Sequence, residues 1–143
     1  MAHEFKQERR VEFSETDMAG IVHFSNFFRY MEATEHAFFR SLGLALHRNE
    51  GGVMEGWARV HAECDYLYPL RYQDVFEIRL TVREKNETSL AYDFAFRLPD
   101  QERDVARGAM KVVHVSKAQD DERMRPTPIP AEIAATIETA PET

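Results

Sequence analysis

Two hydrophobic periods run through the chain, and the change from one to the other locates its elements. From about Phe5 to Phe13, Val11 and Phe13 share a side against Arg10 and Glu12, which predicts a short strand. A polar, glycine-containing loop follows, Ser14-Glu15-Thr16-Asp17-Met18-Ala19-Gly20. Beyond it the spacing becomes helical. Phe27, Met31, Thr34, Phe38 and Leu42 form one stripe, widened by Phe28, Ala37 and Phe39, with Arg29, Glu32, His36 and Arg40 opposite. Ser25 or Asn26 is placed to cap this helix and Gly43 to end it. So wide an apolar face has to be wrapped, and a sheet is the natural cover.

The second half runs at period two. Ala58, Val60, Ala62, Cys64 and Tyr66 alternate with Arg59, His61, Glu63 and Asp65. After a turn over Pro69 to Asp74, Phe76, Ile78, Leu80 and Val82 alternate with Glu77, Arg79, Thr81 and Arg83. A turn at Lys85-Asn86-Glu87 leads to Leu90, Tyr92, Phe94, Phe96 and Leu98; another at Pro99-Asp100-Gln101 leads to a strand from about Val105 to Ser116. Strands joined by such short turns predict an antiparallel meander. Pro126, Pro128 and Pro130 precede a short terminal helix over Ala131 to Glu138. The order is strand, loop, helix, four strands. It predicts one α+β domain over residues 1–143, with a long helix against about five antiparallel strands. The sheet's second face needs a cover, which predicts self-association.

Charge narrows the partners. The 18 basic and 25 acidic residues leave a net charge of −7, which disfavours binding to nucleic acid and to anionic membranes. Cys64 is the one cysteine, so neither an intrachain disulfide nor an all-cysteine metal site can form. No apolar run suits a signal peptide or a bilayer span, and a cytoplasmic protein is the default expectation. His61 and His114 fall on separate strands without metal-ligand spacing, and no glycine-rich nucleotide loop is present, so neither metal nor cofactor is expected.

The chemistry concentrates around Asp17. An aspartate in a polar loop is by itself a turn former or a cap. Its surroundings add more: the run Phe13-Ser14-Glu15-Thr16-Asp17-Met18-Ala19-Gly20-Ile21-Val22-His23-Phe24-Ser25-Asn26-Phe27 resembles the signature of the 4-hydroxybenzoyl-CoA thioesterase family. The resemblance continues through Phe28-Arg29-Tyr30-Met31-Glu32-Ala33 and in the strand order beyond. It implies the hotdog fold, a long helix wrapped by a curved antiparallel sheet. It also implies hydrolysis of a short- or medium-chain or aromatic acyl-CoA, with coenzyme A as part of the substrate, by a dimer or a dimer of dimers.

Asp17 matches the family's catalytic aspartate, acting as nucleophile on the thioester carbon or as base for water. By the same resemblance the backbone N–H of Phe24 polarises the thioester oxygen, while the Phe24 ring is expected to pack. Gly20 permits the close turn from loop to helix. His23 either touches substrate or Asp17, or is structural; Asn26 holds the loop, caps the helix or contacts substrate. Glu32 is a second candidate carboxylate, although its spacing favours pairing with Arg29 and His36. Arg59, Arg71, Arg83, Lys85 and Lys111 are candidates for the coenzyme A phosphates; the turn Lys85-Asn86-Glu87-Thr88 lacks the arginine cluster of some relatives. Two rival readings stand beside hydrolysis. One is a domain that binds acyl thioesters without turning them over. The other is an enoyl-thioester hydratase, which calls for a histidine five residues after the aspartate; Val22 stands there, and His23 falls one step further.

Overall fold

The computed structural model describes residues 1–142; Thr143, the last residue of the expected single domain, lies outside them. Strand β1 (Glu4–Arg10) passes through a 3-10 turn (Phe13–Glu15) and the Asp17 loop into helix α1 (Asn26–Ser41). Then come β2 (Arg48–Glu50), β3 (Val53–Tyr66), β4 (Val75–Lys85), β5 (Ser89–Leu98), β6 (Arg103–Ala118), β7 (Arg125–Pro126) and α2 (Ala131–Thr136). Across the sheet the order is β1-β4-β5-β6-β3-β2, with β7 against β6, and every pairing is antiparallel. One long helix lies against this curled sheet, which is the hotdog arrangement. The sheet has seven strands rather than about five because β2 and β7, with three and two residues, are too short to show a period.

Helix and sheet hold together through one core. Tyr30, Met31, Phe38 and Phe39 of α1 are at most 1 % exposed and meet Phe76, Ile78 and Leu80 of β4, Phe94 and Phe96 of β5 and Met110 of β6. Burying side chains of this size contributes about 1.5–3 kcal/mol each. Gly108 of β6 sits under the helix, where an added Cβ would come within 2.5 Å of Met31 Sδ.

Two expectations about faces do not hold. Phe13 does not continue the first strand; it is 74 % exposed in the 3-10 turn. The Glu12 N–H donates to Glu15 Oε1 at 2.8 Å, a capping box that turns the chain off β4 after Val11. In β3 the register slips at Val60: Arg59 pairs with Val112, and His61 with Lys111. This bulge changes the phase, so Trp57 and Arg59 face α1 together with Ala62, Cys64 and Tyr66, while Ala58 turns away. The terminal helix is shorter than expected, ending at Thr136. Among the described residues, no helix is long and apolar enough to cross a membrane.

Candidate active site

The loop between β1 and α1 folds back on itself around Asp17. The Asp17 N–H donates to Ile21 O at 2.8 Å and the Gly20 N–H to Asp17 O at 3.0 Å. Gly20 has φ +80°, yet nothing lies within 4 Å of an added Cβ; the backbone conformation, not crowding, calls for glycine. Asp17 Oδ1 accepts the Ala19 N–H at 2.8 Å and, more weakly, the Ile21 N–H at 3.4 Å. The turn-forming role is therefore real for one oxygen. Among the described residues Oδ2 has no hydrogen-bond partner and the carboxylate has no ion pair.

Asp17 lies on the wall between two clefts. One, of about 460 Å³, is lined by Phe24, Phe27, Tyr66, Tyr68 and Leu70; the other, of about 500 Å³, by Phe13, Thr16, Met18 and Tyr72. The first is mostly aromatic and aliphatic and suits an apolar group.

Phe24 stands at the turn into α1. Its N–H makes no hydrogen bond among the described residues, whereas the next three amides are used. Ser25 donates to His23 Nδ1 at 3.2 Å, Asn26 to His23 O at 2.9 Å and Phe27 to Phe24 O at 3.3 Å. A spare N–H at the start of a helix is a ready donor to developing negative charge. The Phe24 ring is not packed in the core as expected; it is 62 % exposed and stacks on His23 at 4.5 Å.

The neighbouring candidates hold this turn in place. His23 Nδ1 accepts the Ser25 amide and lies 2.8 Å from Ser25 Oγ, with no contact to Asp17. Ser25 occupies the N-cap position without capping by its side chain. Asn26 takes the loop-holding role, its Nδ2 donating to Glu15 O at 2.8 Å. Glu15 is a hub that residue type alone does not reveal. Its carbonyl also accepts the His23 N–H at 2.9 Å, and its Oε1 accepts the Tyr30 hydroxyl at 3.0 Å. Burial, then Glu15 itself, pushes the Tyr30 pKa up and keeps it a donor.

Glu32 lies away from both clefts. Its partner is Arg59 of β3, at 3.1 Å, rather than Arg29 or His36. Arg59 also reaches Glu35 Oε1 at 2.7 Å, and Glu35 is buried. Three of the five phosphate candidates are thus committed elsewhere: Arg59 to these two glutamates, Arg83 to Asp93 at 3.0 Å, and Lys85 to the carbonyls of Ala134 and Ile137. The side chains of Arg71 and Lys111 form no ion pair among the described residues, although the Arg71 backbone N–H donates to Asp74 Oδ2 at 2.8 Å. Arg71 bridges to Ile21 and lies between the cleft residues Leu70 and Tyr72. Arg103, which no sequence signal marks, stacks 4.4 Å over the Tyr68 ring at the first cleft. Burial pushes the Cys64 thiol up to about 11, so it stays protonated near neutral pH and is a poor nucleophile. Among the described residues, no three His, Cys, Asp or Glu side chains are grouped to hold a metal ion.

Residues 11–137 match the family model of the thioesterase-like superfamily. A 1,4-dihydroxy-2-naphthoyl-CoA hydrolase of Prochlorococcus marinus (strain NATL2A) is 32% identical over 116 residues, 76% of this chain and 72% of that protein. A 4-hydroxybenzoyl-CoA thioesterase of Pseudomonas sp. (strain CBS-3) is 27% identical over 137 residues, 92% of this chain and 96% of that one. Among solved structures, a protein from Aquifex aeolicus aligns with a TM-score of 0.79 at 30% identity, covering 94% of this chain and 99% of its own.

Proposed function

Since this chain belongs to the thioesterase-like superfamily and is an acyl-CoA thioester hydrolase, we propose that it acts on aromatic or short- to medium-chain acyl groups with Asp17 as its catalytic carboxylate. One observation carries the proposal. Asp17, whose carboxylate has a spare oxygen, and Phe24, whose N–H has no partner among the described residues, line the same cleft.

In this reading the thioester carbonyl oxygen accepts the Phe24 N–H, and Asp17 serves the carbon. As a base, Asp17 takes a proton from water while the water oxygen bonds to the carbonyl carbon. The C–S bond then breaks, and the departing coenzyme A thiolate is protonated. As a nucleophile, Asp17 forms a mixed anhydride with loss of the thiolate, and water cleaves the anhydride. Both routes give the free acid and coenzyme A with water as the one co-reactant. A preorganised donor such as the Phe24 amide contributes about 3–4 kcal/mol to the transition state. The ring-lined cleft of Phe27, Tyr66 and Tyr68 supports an aromatic acyl group, in keeping with the aroyl-CoA named for two relatives. The working unit in this reading is a dimer, or a dimer of dimers.

Thiol release from a panel of acyl-CoAs tests the assignment. Asp17→Asn and Asp17→Ala should each lower kcat about a hundredfold or more on the preferred substrate. A rapid quench, followed by mass measurement of the Asp17 peptide, separates the routes, because only the nucleophile carries the acyl group. Undiminished turnover in both variants would remove Asp17 from the mechanism. Tight binding without thiol release from any panel member would favour the non-catalytic acyl-thioester-binding reading.

A further inference from the structure

Tyr66 ends β3, and the Val60 bulge brings it to the helix-facing side of that strand. Its ring stands edge-on to Phe27 at 5.2 Å and 82°, which fixes the direction of the hydroxyl. That hydroxyl donates to the carbonyl oxygen of Phe24 at 3.0 Å.

The Phe24 carbonyl and the Phe24 N–H belong to the same residue, on either side of its Cα. The segment before it is pinned by the His23 N–H on Glu15 O at 2.9 Å. The segment after it is tied back through Asn26, whose N–H donates to His23 O at 2.9 Å and whose Nδ2 donates to Glu15 O at 2.8 Å. Ser25 has no side-chain cap bond, and the Phe27 N–H reaches Phe24 O at a long 3.3 Å. At the Phe24 carbonyl itself the Tyr66 hydroxyl, at 3.0 Å, makes the shorter of the two hydrogen bonds. An oxyanion donor works only within about 2.7–3.1 Å of the charge it meets, so a small tilt of this turn is costly.

We propose that Tyr66 is a positioning residue for thioester hydrolysis, its hydroxyl holding the turn that presents the Phe24 N–H to the carbonyl oxygen. The inference rests on the assignment of that N–H as oxyanion donor. Tyr66 acts through Phe24 and takes no part in proton transfer.

Tyr66→Phe keeps the ring against Phe27 and removes the hydroxyl alone. With the best substrate of the acyl-CoA panel, kcat should fall about ten- to hundredfold while KM stays within about twofold. A second readout follows the donor itself. In Asp17→Asn protein, the infrared stretch of a bound substrate with an isotopically labelled carbonyl should lie below its frequency in water. Adding Tyr66→Phe should return it towards that frequency. Unchanged kcat together with an unchanged carbonyl frequency overturns the proposal, and so does a raised KM at constant kcat, which would make the Tyr66 hydroxyl a substrate contact instead of a brace for the turn. The absence of any carbonyl shift with Tyr66 intact would instead overturn the Phe24 assignment beneath it.

Discussion

Glu35 is 1 % exposed, with Oε1 on Arg59 at 2.7 Å; its Oε2 and the adjoining Tyr92 hydroxyl are buried with no hydrogen-bond partner among the described residues. Burial disfavours the charged form and raises its pKa above the ordinary 4.5, with Arg59 pulling the other way. An acid whose pKa is raised by folding takes up a proton as the chain folds. Its contribution to stability is full below the unfolded value of 4.5 and is lost as pH rises through the raised one. Glu35→Gln removes this titration and leaves Arg59 paired with Glu32 at 3.1 Å. Denaturation midpoints taken upward from pH 4.5 should therefore decline less in the variant than in the parent protein. Parallel profiles would show that Glu35 ionises in the fold as it does in the open chain. Side chains like this mark the limit of what a sequence discloses. Asp17 is legible because a whole run of residues around it carries the signal. Glu15 and Tyr66 are not, since their roles are hydrogen bonds to residues 11 and 42 positions away.

The helix stripe and strands β4 and β5 are legible because each keeps its period across the core, β4 slipping register only past Val82. Phe27, Met31, Thr34 and Phe38 are all buried, as are Phe76, Ile78, Leu80 and Val82. Strand β3 is not, because its bulge at Val60 leaves the alternation of residue types intact while reversing which of them face the helix. No rule of composition announces that slip. The seat of the helix is equally hidden, for it depends on what Gly108 lacks. An added Cβ there would lie 2.5 Å from Met31 Sδ, 2.9 Å from Met31 Cε and 3.2 Å from the Glu63 carbonyl. The methionine is 0 % exposed and has little room to yield. Gly108→Ala should therefore destabilise the fold by about 1–3 kcal/mol, read as a lowered denaturant midpoint. In a Met31→Ala background the same change should cost less, since the two side chains couple directly. Equal costs in both backgrounds would place the strain at the Glu63 carbonyl instead.

The sheet carries an unfinished edge that bears on how many copies of the chain work together. Among the described residues, only Val53, Met54 and Glu55 of the 14-residue β3 pair with β2, so from Gly56 to Tyr66 the side away from β6 has no strand beside it there. Val60 is 58 % and Tyr66 46 % exposed along this stretch. Strands that remain single usually guard such an edge with lysine or proline, and β3 contains neither. The bulge at Val60 interrupts the edge, yet among the described residues neither Gly56 to Arg59 before it nor His61 to Tyr66 after it has a strand partner on that side. A second copy pairing there would satisfy those groups and cover the exposed side chains, which is the physical ground for the proposed dimer. Each copy brings a charge of −7, so the two repel at long range and added salt should tighten the association. Light scattering at working concentration should give twice the chain mass or a multiple of it. Val60→Lys, which sets a charge on the pairing edge, should raise the dissociation constant about tenfold or more, and salt should recover part of the loss. A single-chain mass at every salt concentration would leave the edge unpaired in solution and confine the active site to one copy.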